Sequence, residues 1–189
     1  PLAITGVGII GPRGTSFPNF CQNYWNGPSL ADTTRNITFF GQEFAQKIYE
    51  LPPLEDRALP ASLRRRMSIF TKLVALSALE CFTSSGLRQE DCRRSLGIFL
   101  GTGWGENETV HALLEQLLSN GEIILSPTLF HNSVHNAAVG YLGMLLQLQG
   151  PALTVSQAEL SFEASLESAM LLLAAGQCEA VLVGACDVF

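Results

Sequence analysis

The stretch Gln149-Gly-Pro-Ala-Leu-Thr-Val-Ser-Gln-Ala-Glu-Leu-Ser-Phe-Glu-Ala164 constrains the fold of this chain more than any other. Gly150 and Pro151 open a short apolar run, Ala152 to Val155, whose length and composition suit a buried strand. A helical pattern begins near Leu160 and runs to Ala175, with Gly176 as its C′ stop. Strand, sharp turn and helix form the arrangement in which α/β enzymes often display a nucleophile. The helix N-terminus there supplies N–H groups and positive potential that steady an anion. Such a turn calls for a Cys or a Ser, but this chain has Gln157, Ala158 and Glu159. A carboxylate is electrostatically favoured at that point, yet it cannot form a stable thioester. The plainer reading of Glu159 is an ordinary first-turn acid.

Length, charge and cysteine usage narrow the function classes. A chain of 189 residues suits one α/β domain or one half of a two-part fold. It is long enough to bury roughly 70% of its unfolded surface. Hydrophobic residues make up 47% and charged residues 15%, which is apolar for a soluble monomer and points to a large interface. A net charge of −6 argues against a nucleic-acid surface. Cys21, Cys81, Cys92, Cys178 and Cys186 are scattered and include no C-x-x-C pair. They read as reduced thiols of a cytoplasmic protein and not as metal ligands, so neither metal nor cofactor is expected. The chain opens on an expected strand without a signal peptide, and no apolar run reaches the roughly 18 residues that span a bilayer.

Read in order, Leu2 to Val7 is expected to be a first strand. Gly6-Val-Gly-Ile-Ile-Gly11 follows it and matches G-x-G-x-x-G, but Pro12, Arg13 and Gly14 stand where a dinucleotide motif needs a helix. Ser16 to Asn26 reads as a short helix with Ser16 as N-cap and Pro18 in the first turn. Gly27 to Pro60 is irregular, with a minor strand over Ile37 to Phe40. The strongest helix runs from Leu63 to Ser85, its stripe marked by Met67, Phe70, Leu73, Val74, Ser77, Ala78 and Cys81, with Gly86 ending it. Arg64-Arg65-Arg66 falls at its start, either as a solvated turn paired with Glu55 and Asp56 or as an anion or carrier-protein contact. Leu96 to Leu100 is a core strand followed by Gly101-Thr-Gly-Trp-Gly105, which lacks a P-loop lysine. Glu106 to Ser119 is a helix and Asn120-Gly121 a turn. His131 and His135 are four apart and could share a helix face, but no acid lies between them and no third ligand is evident. They read as hydrogen-bonded or interface residues. Ala137 to Leu148 is an apolar helix whose Ala137, Ala138, Gly140 and Gly143 permit close packing, and Ala180 to Gly184 is the last core strand.

Taken together these pieces resemble the N-terminal half of the β-ketoacyl synthases, which have the thiolase fold. The matching segments are Ile4-Thr-Gly-Val-Gly8, Arg65-Arg-Met67, Ser85-Gly-Leu87 and Leu96-Gly-Ile-Phe-Leu-Gly-Thr-Gly103. Ser126-Pro127, Asn136-Ala-Ala-Val-Gly140, Gly150-Pro-Ala-Leu-Thr-Val-Ser156 and Gly176-Gln-Cys-Glu-Ala-Val-Leu-Val-Gly184 complete them in order. The resemblance implies an α-β-α layered half of a thiolase-like fold, with a mixed, mainly parallel sheet of four or five strands. It implies that residues 1–189 form a single domain without the C-terminal half. In active members the turn carries Cys in a pattern like S-T-A-C-x-S-G, and Glu159 of Ser156-Gln-Ala-Glu-Leu-Ser-Phe162 stands in that Cys position. The two histidines of malonyl decarboxylation belong to the other half, and His131 and His135 do not match them.

A retained scaffold without the nucleophile resembles the chain-length factors, the non-catalytic partners of ketosynthases in type II polyketide systems, and the short synthase-like proteins of aryl polyene clusters. The resemblance implies a subunit that pairs with an active ketosynthase and meets the acyl carrier protein mainly through that partner. It places Ala152, Leu153, Thr154, Val155 and Ser156 at the subunit interface, where the strand would pair across a dimer axis, with His131, His135 and Asn136 beside it. A malonyl-carrier decarboxylase and a carrier-protein binding module are the alternatives. The helix from Leu160 to Ala175 is expected to turn Leu160, Ala164 and Leu171 to the sheet and an acidic stripe of Glu159, Glu163 and Glu167 to solvent.

Overall fold

The computed structural model describes residues 2–27, 33–39, 41–119 and 126–188. In chain order its elements are α1 (Phe17–Asn26), β1 (Thr33–Phe39), β2 (Gln42–Ile48), α2 (Ala61–Arg64), α3 (Ile69–Ser84), α4 (Gln89–Cys92) and β3 (Leu96–Gly101). There follow α5 (Asn107–Ser119), α6 (Pro127–Asn132), α7 (Ala137–Leu146), β4 (Ala152–Val155), α8 (Ser161–Ala174) and β5 (Ala180–Ala185). Every residue of β3 is buried, as its unbroken apolar sequence requires. It pairs in parallel with β4 on one side and β5 on the other, Ile98 opposite Ala152 and Leu182.

The pleat of β3 decides which helix covers which face. Ile98 and Leu100 point to one side, where they pack with Phe70, Val74 and Ala78 of α3 and with Ala138, Val139, Leu142 and Leu146 of α7. The other side takes α8 through Ser161, Ser165 and Ala169, one helical stripe of small buried residues. Gly101 lies beneath it so closely that a Cβ there would come within 2.4 Å of the Ser161 carbonyl oxygen. The result is α/β, a helix–sheet–helix sandwich. Leu160 and Leu171, expected against the sheet, are 62% and 64% exposed, and Ala164 is half-buried. Contact with β3 selects small side chains, so it is the serine–alanine stripe that turns inward.

Among the described residues the core sheet has three strands, not four. Leu2 to Val7, expected to be a strand, joins no ladder. It lies across α3, where Val7 N–H donates to Ser84 Oγ at 3.1 Å and Ile9 N–H to Glu80 Oε2 at 3.0 Å. Gly6 and Gly8 permit this approach, since a Cβ on either would fall 2.2 Å from the Cys81 carbonyl oxygen or 1.9 Å from that of Ser77. Those glycines therefore serve helix contact, and Gly11 to Gly14 closes as a turn through reciprocal backbone bonds. In α1, Ser16 accepts from the Asn19 N–H as the expected cap, and Pro18 sits in the first turn. The minor strand is longer than expected, since Thr33–Phe39 pairs antiparallel with Gln42–Ile48 as a separate hairpin. Phe40, residues 28–32 and the Asn120-Gly121 turn lie outside the described residues.

The helix expected over Leu63 to Ser85 divides in two. Ser68 leaves helical geometry and caps α3, its hydroxyl accepting from the Thr71 N–H at 3.0 Å. The Arg66 carbonyl at the bend accepts from Asn132 Nδ2 at 2.6 Å and from the Tyr141 hydroxyl at 3.3 Å. The three arginines thus occupy the end of α2 and a bend, not the start of a long helix. Arg64 and Lys72 both reach Asp56, at 3.5 and 2.8 Å, as the solvated-turn reading requires of Arg64. Gly86 and Gly176 follow α3 and α8 with φ of +71° and +66°, which is where the helix stops were expected. Helix α7 ends at Leu146, two residues early, because Gln147 takes the left-handed region. Its Ala137 and Ala138 are buried in the core and so not at a surface, while Gly140 faces out beside a shallow depression lined by Arg93, Met144 and Gln147.

Candidate functional site

The three parallel strands end at one edge of the sheet, and the loops that follow them meet there. In open α/β sheets this carboxyl edge is where sites form. After β4 the chain passes Ser156 and Gln157 and enters a single 3-10 turn, Ala158 to Leu160, before α8 begins. Ala158 has φ of +49°, an uncommon value for a residue with a Cβ. Ser161 holds the turn, its hydroxyl donating to the Ala158 carbonyl at 2.7 Å and accepting from the Gln157 N–H at 2.9 Å. Gly103 lies under the turn, where a Cβ would stand 3.0 Å from the Ala158 oxygen. Strand, strained turn and helix are therefore in place, and Glu159 is exposed on the turn.

Asp187, just after β5, locks the neighbouring loop. Its carboxylate accepts from the Thr102 hydroxyl at 2.7 Å and from the Trp104 and Gly103 N–H groups at 2.8 and 3.1 Å. Thr102 in turn accepts from the Gly105 N–H at 2.7 Å. Cys186 brings a thiol to the same edge, with its own N–H donating to the Gly101 carbonyl. Burial, then the charges of Asp187 and Glu106, push that thiol up to about 12. Held that far above the ordinary thiol range, Cys186 is disfavoured as a thiolate at neutral pH and is poorly suited to act as a nucleophile. Alkylation of the native protein at pH 8, followed by peptide mass mapping, should leave Cys186 unmodified under conditions that label it fully after unfolding. Rapid labelling in the folded state would show an accessible thiolate.

The expected interface residues lie on β4 and its exit, on α6, and on the turn that leads into α7. Ala152, Leu153, Thr154 and Val155 form β4, which hydrogen-bonds only to β3 and is an edge strand among the described residues. Ala152, Leu153 and Ser156 are exposed, and Thr154 Oγ1 is buried with no hydrogen-bond partner among the described residues. His131 and His135 do not share a helix face, because α6 stops at Asn132. His131 stacks on the Tyr141 ring at 5.4 Å, while His135 follows in a turn and its ring lies against Gly105. Asn136 is the exposed N-cap residue of α7, without a side-chain cap bond.

Two acids that sequence reasoning passed over organise this end of the molecule. Asp187 is one. Glu106 is the other, a 2% exposed carboxylate that accepts from the Ser68, Thr71 and Thr109 hydroxyls at 2.6, 2.8 and 2.8 Å. The only available signal for Glu106 was an acid directly after a glycine-rich loop. Of the hydroxyls that explain it only Thr109 is local, three residues on, whereas Ser68 and Thr71 lie at the start of α3, far along the chain.

Residues 42–188 match the family model described as β-ketoacyl synthase, N-terminal domain. The 3-oxoacyl-[acyl-carrier-protein] synthase 2 of Coxiella burnetii is 24% identical over 188 residues, covering 97% of this chain and 44% of that protein. The chain therefore spans under half the length of that curated relative. Among solved structures, the ishigamide ketosynthase/chain length factor aligns with a TM-score of 0.79 at 18% identity, over 98% of this chain and 52% of that one. A ketosynthase in complex with its chain length factor from Xenorhabdus doucetiae aligns with a TM-score of 0.65 at 24% identity, over 93% and 63%. These likenesses establish the thiolase-like half-domain fold. Among the described residues, no helix is long and apolar enough to cross a membrane.

Proposed function

The chain belongs to the family of β-ketoacyl synthase N-terminal domains, and from that premise we propose that it is a non-catalytic subunit resembling a chain-length factor. It pairs with an active ketosynthase in chain elongation of the type II polyketide, aryl polyene or fatty-acid kind and shapes the acyl tunnel at their interface. The partner supplies the Cys and both histidines and carries most of the contact with the acyl carrier protein. One observation carries the reading. The turn built to present a nucleophile presents Glu159 in place of a Cys or Ser. The open edge of β4 supports the pairing half of the proposal, since an edge strand with apolar exposed side chains is a template for another strand.

Co-expression with candidate ketosynthases, followed by size-exclusion and acyl-transfer assays, tests it. A complex should form, and acyl-enzyme should appear on the partner alone. Acyl-enzyme on this chain would overturn the assignment, and malonyl-carrier decarboxylation by the isolated chain would replace it with an enzymatic role. Glu159→Cys should yield no condensing activity without the ketosynthase partner, because the proposed role leaves the enolate-stabilising histidines to that partner. Measured condensation of malonyl and acyl carriers by that variant would refute the mechanism.

A further inference from the structure

We infer that Thr102, Gly103 and Trp104 form a carboxylate-binding site at the carboxyl edge of the sheet, and that Asp187 is the built-in anion that keeps it closed. The donors come from consecutive residues of one loop and converge on one side chain. The Thr102 hydroxyl and the Trp104 N–H both donate to Asp187 Oδ1, at 2.7 and 2.8 Å, and the Gly103 N–H donates to Oδ2 at 3.1 Å. Successive loop donors aimed at one point make an anion-binding concavity, and bonds to a charged acceptor are stronger than neutral ones. No cation contributes, since Asp187 enters no ion pair among the described residues. The anion is recognised by N–H and O–H dipoles alone.

Groups other than Asp187 hold the donors in place. The Thr102 N–H donates to the Val155 carbonyl at 3.0 Å and ties the loop to the end of β4. Thr102 is fully buried, and its hydroxyl accepts from the Gly105 N–H at 2.7 Å, which leaves the hydroxyl proton for the anion. Gly105 has φ of +60° and lies so close to the His135 ring that a Cβ would come within 2.7 Å of it. The loop therefore keeps its shape when Asp187 is shortened, and three donors lose their acceptor. On the other side, the Cys186 N–H donates to the Gly101 carbonyl at 3.2 Å and so delivers Asp187 to the loop. A carboxylate tethered at the site is favoured over a free one by its effective concentration. Asp187 is itself exposed, so a free anion can reach the donors once the native carboxylate is gone. Donors that engage both oxygens of one carboxylate select a planar anion of formate size over a tetrahedral one. The site stands independently of the ketosynthase pairing proposed above.

The test is thermal melting of the parent chain and of Asp187→Ala in sodium formate, with ionic strength held constant by sodium chloride. Asp187→Ala should melt about 2 °C or more below the parent and should regain most of that difference as formate saturates the site. The parent should respond no more to formate than to chloride. Asp187→Asn, whose amide still fills the site, should show no formate-specific recovery. Trp25 and Trp104 are the two tryptophans of the chain, so in a Trp25→Phe background the emission of Trp104 should shift with formate over the same concentrations. Should Asp187→Ala fail to fold unaided, its refolding yield from denaturant should rise with formate and saturate likewise. The proposal is overturned if formate gives Asp187→Ala no recovery beyond chloride, in melting or in refolding yield. An equal response of the parent or of Asp187→Asn, or equal recovery in sulfate, overturns it as well.

Discussion

A chain carrying Leu153→Asp is expected to lose co-purification with its ketosynthase partner while melting like the parent. Leu153 is 41% exposed on a strand bonded along one edge only, so an Asp there meets water in the isolated subunit. In a complex formed through that edge the same Asp is buried opposite another strand without a partner. A broken or unpaired buried charge costs about 3–5 kcal/mol, which weakens association by about a hundredfold or more. Val155→Asp should act in the same direction, but Val155 is half-buried within the subunit and its substitution also taxes folding. Leu153 is therefore the informative position. Unchanged yield of the Leu153→Asp complex, measured by pull-down with the thermal melt as control, would remove β4 from the interface.

What the sequence made legible follows the range of the interactions involved. β3, β4 and β5 were readable because each is a short apolar run between glycine-rich or polar breaks. The two helix stops at Gly86 and Gly176 were readable because a positive φ is a local demand that glycine meets. The inward face of α8 is not legible from hydrophobicity, because close contact with Gly101 favours Ser161, Ser165 and Ala169 over larger apolar side chains. The break between α2 and α3 was hidden because apolar periodicity continues through Met67. What interrupts the helix is the Ser68 cap and the Asn132 and Tyr141 bonds to the Arg66 carbonyl, and those partners lie far along the chain. The same holds for the site. Glu159 is visible at once within one local pattern. Asp187 becomes meaningful only when β5 brings it beside Thr102.

Glu106→Ala is expected to be among the most destabilising single changes in the molecule, by about 3–5 kcal/mol. Its Oε1 accepts from Ser68 at 2.6 Å and Thr71 at 2.8 Å, and its Oε2 accepts from Thr109 at 2.8 Å. Ser68 is at the same time the α3 cap, so the carboxylate orients the hydroxyl that accepts the Thr71 N–H. Alanine removes the acceptor for three hydroxyls and leaves a cavity where Thr71 is fully buried. It also releases a cap whose loss alone typically costs about 1 kcal/mol. Glu106→Gln separates acceptor from charge. The amide oxygen can still accept from Ser68 and Thr71, while the amide N–H can donate to Thr109 once that hydroxyl turns, so the expected loss is only about 1 kcal/mol. Denaturant melts of the two variants decide between these contributions. Equal large losses would mean that the negative charge itself is required. A loss under about 1 kcal/mol for alanine would mean that the hydroxyl cluster is incidental to the fold. With the alanine variant strongly destabilised, amide hydrogen exchange should quicken first at the start of α3 and through the Gly101 to Gly105 loop, because Glu106 joins the two.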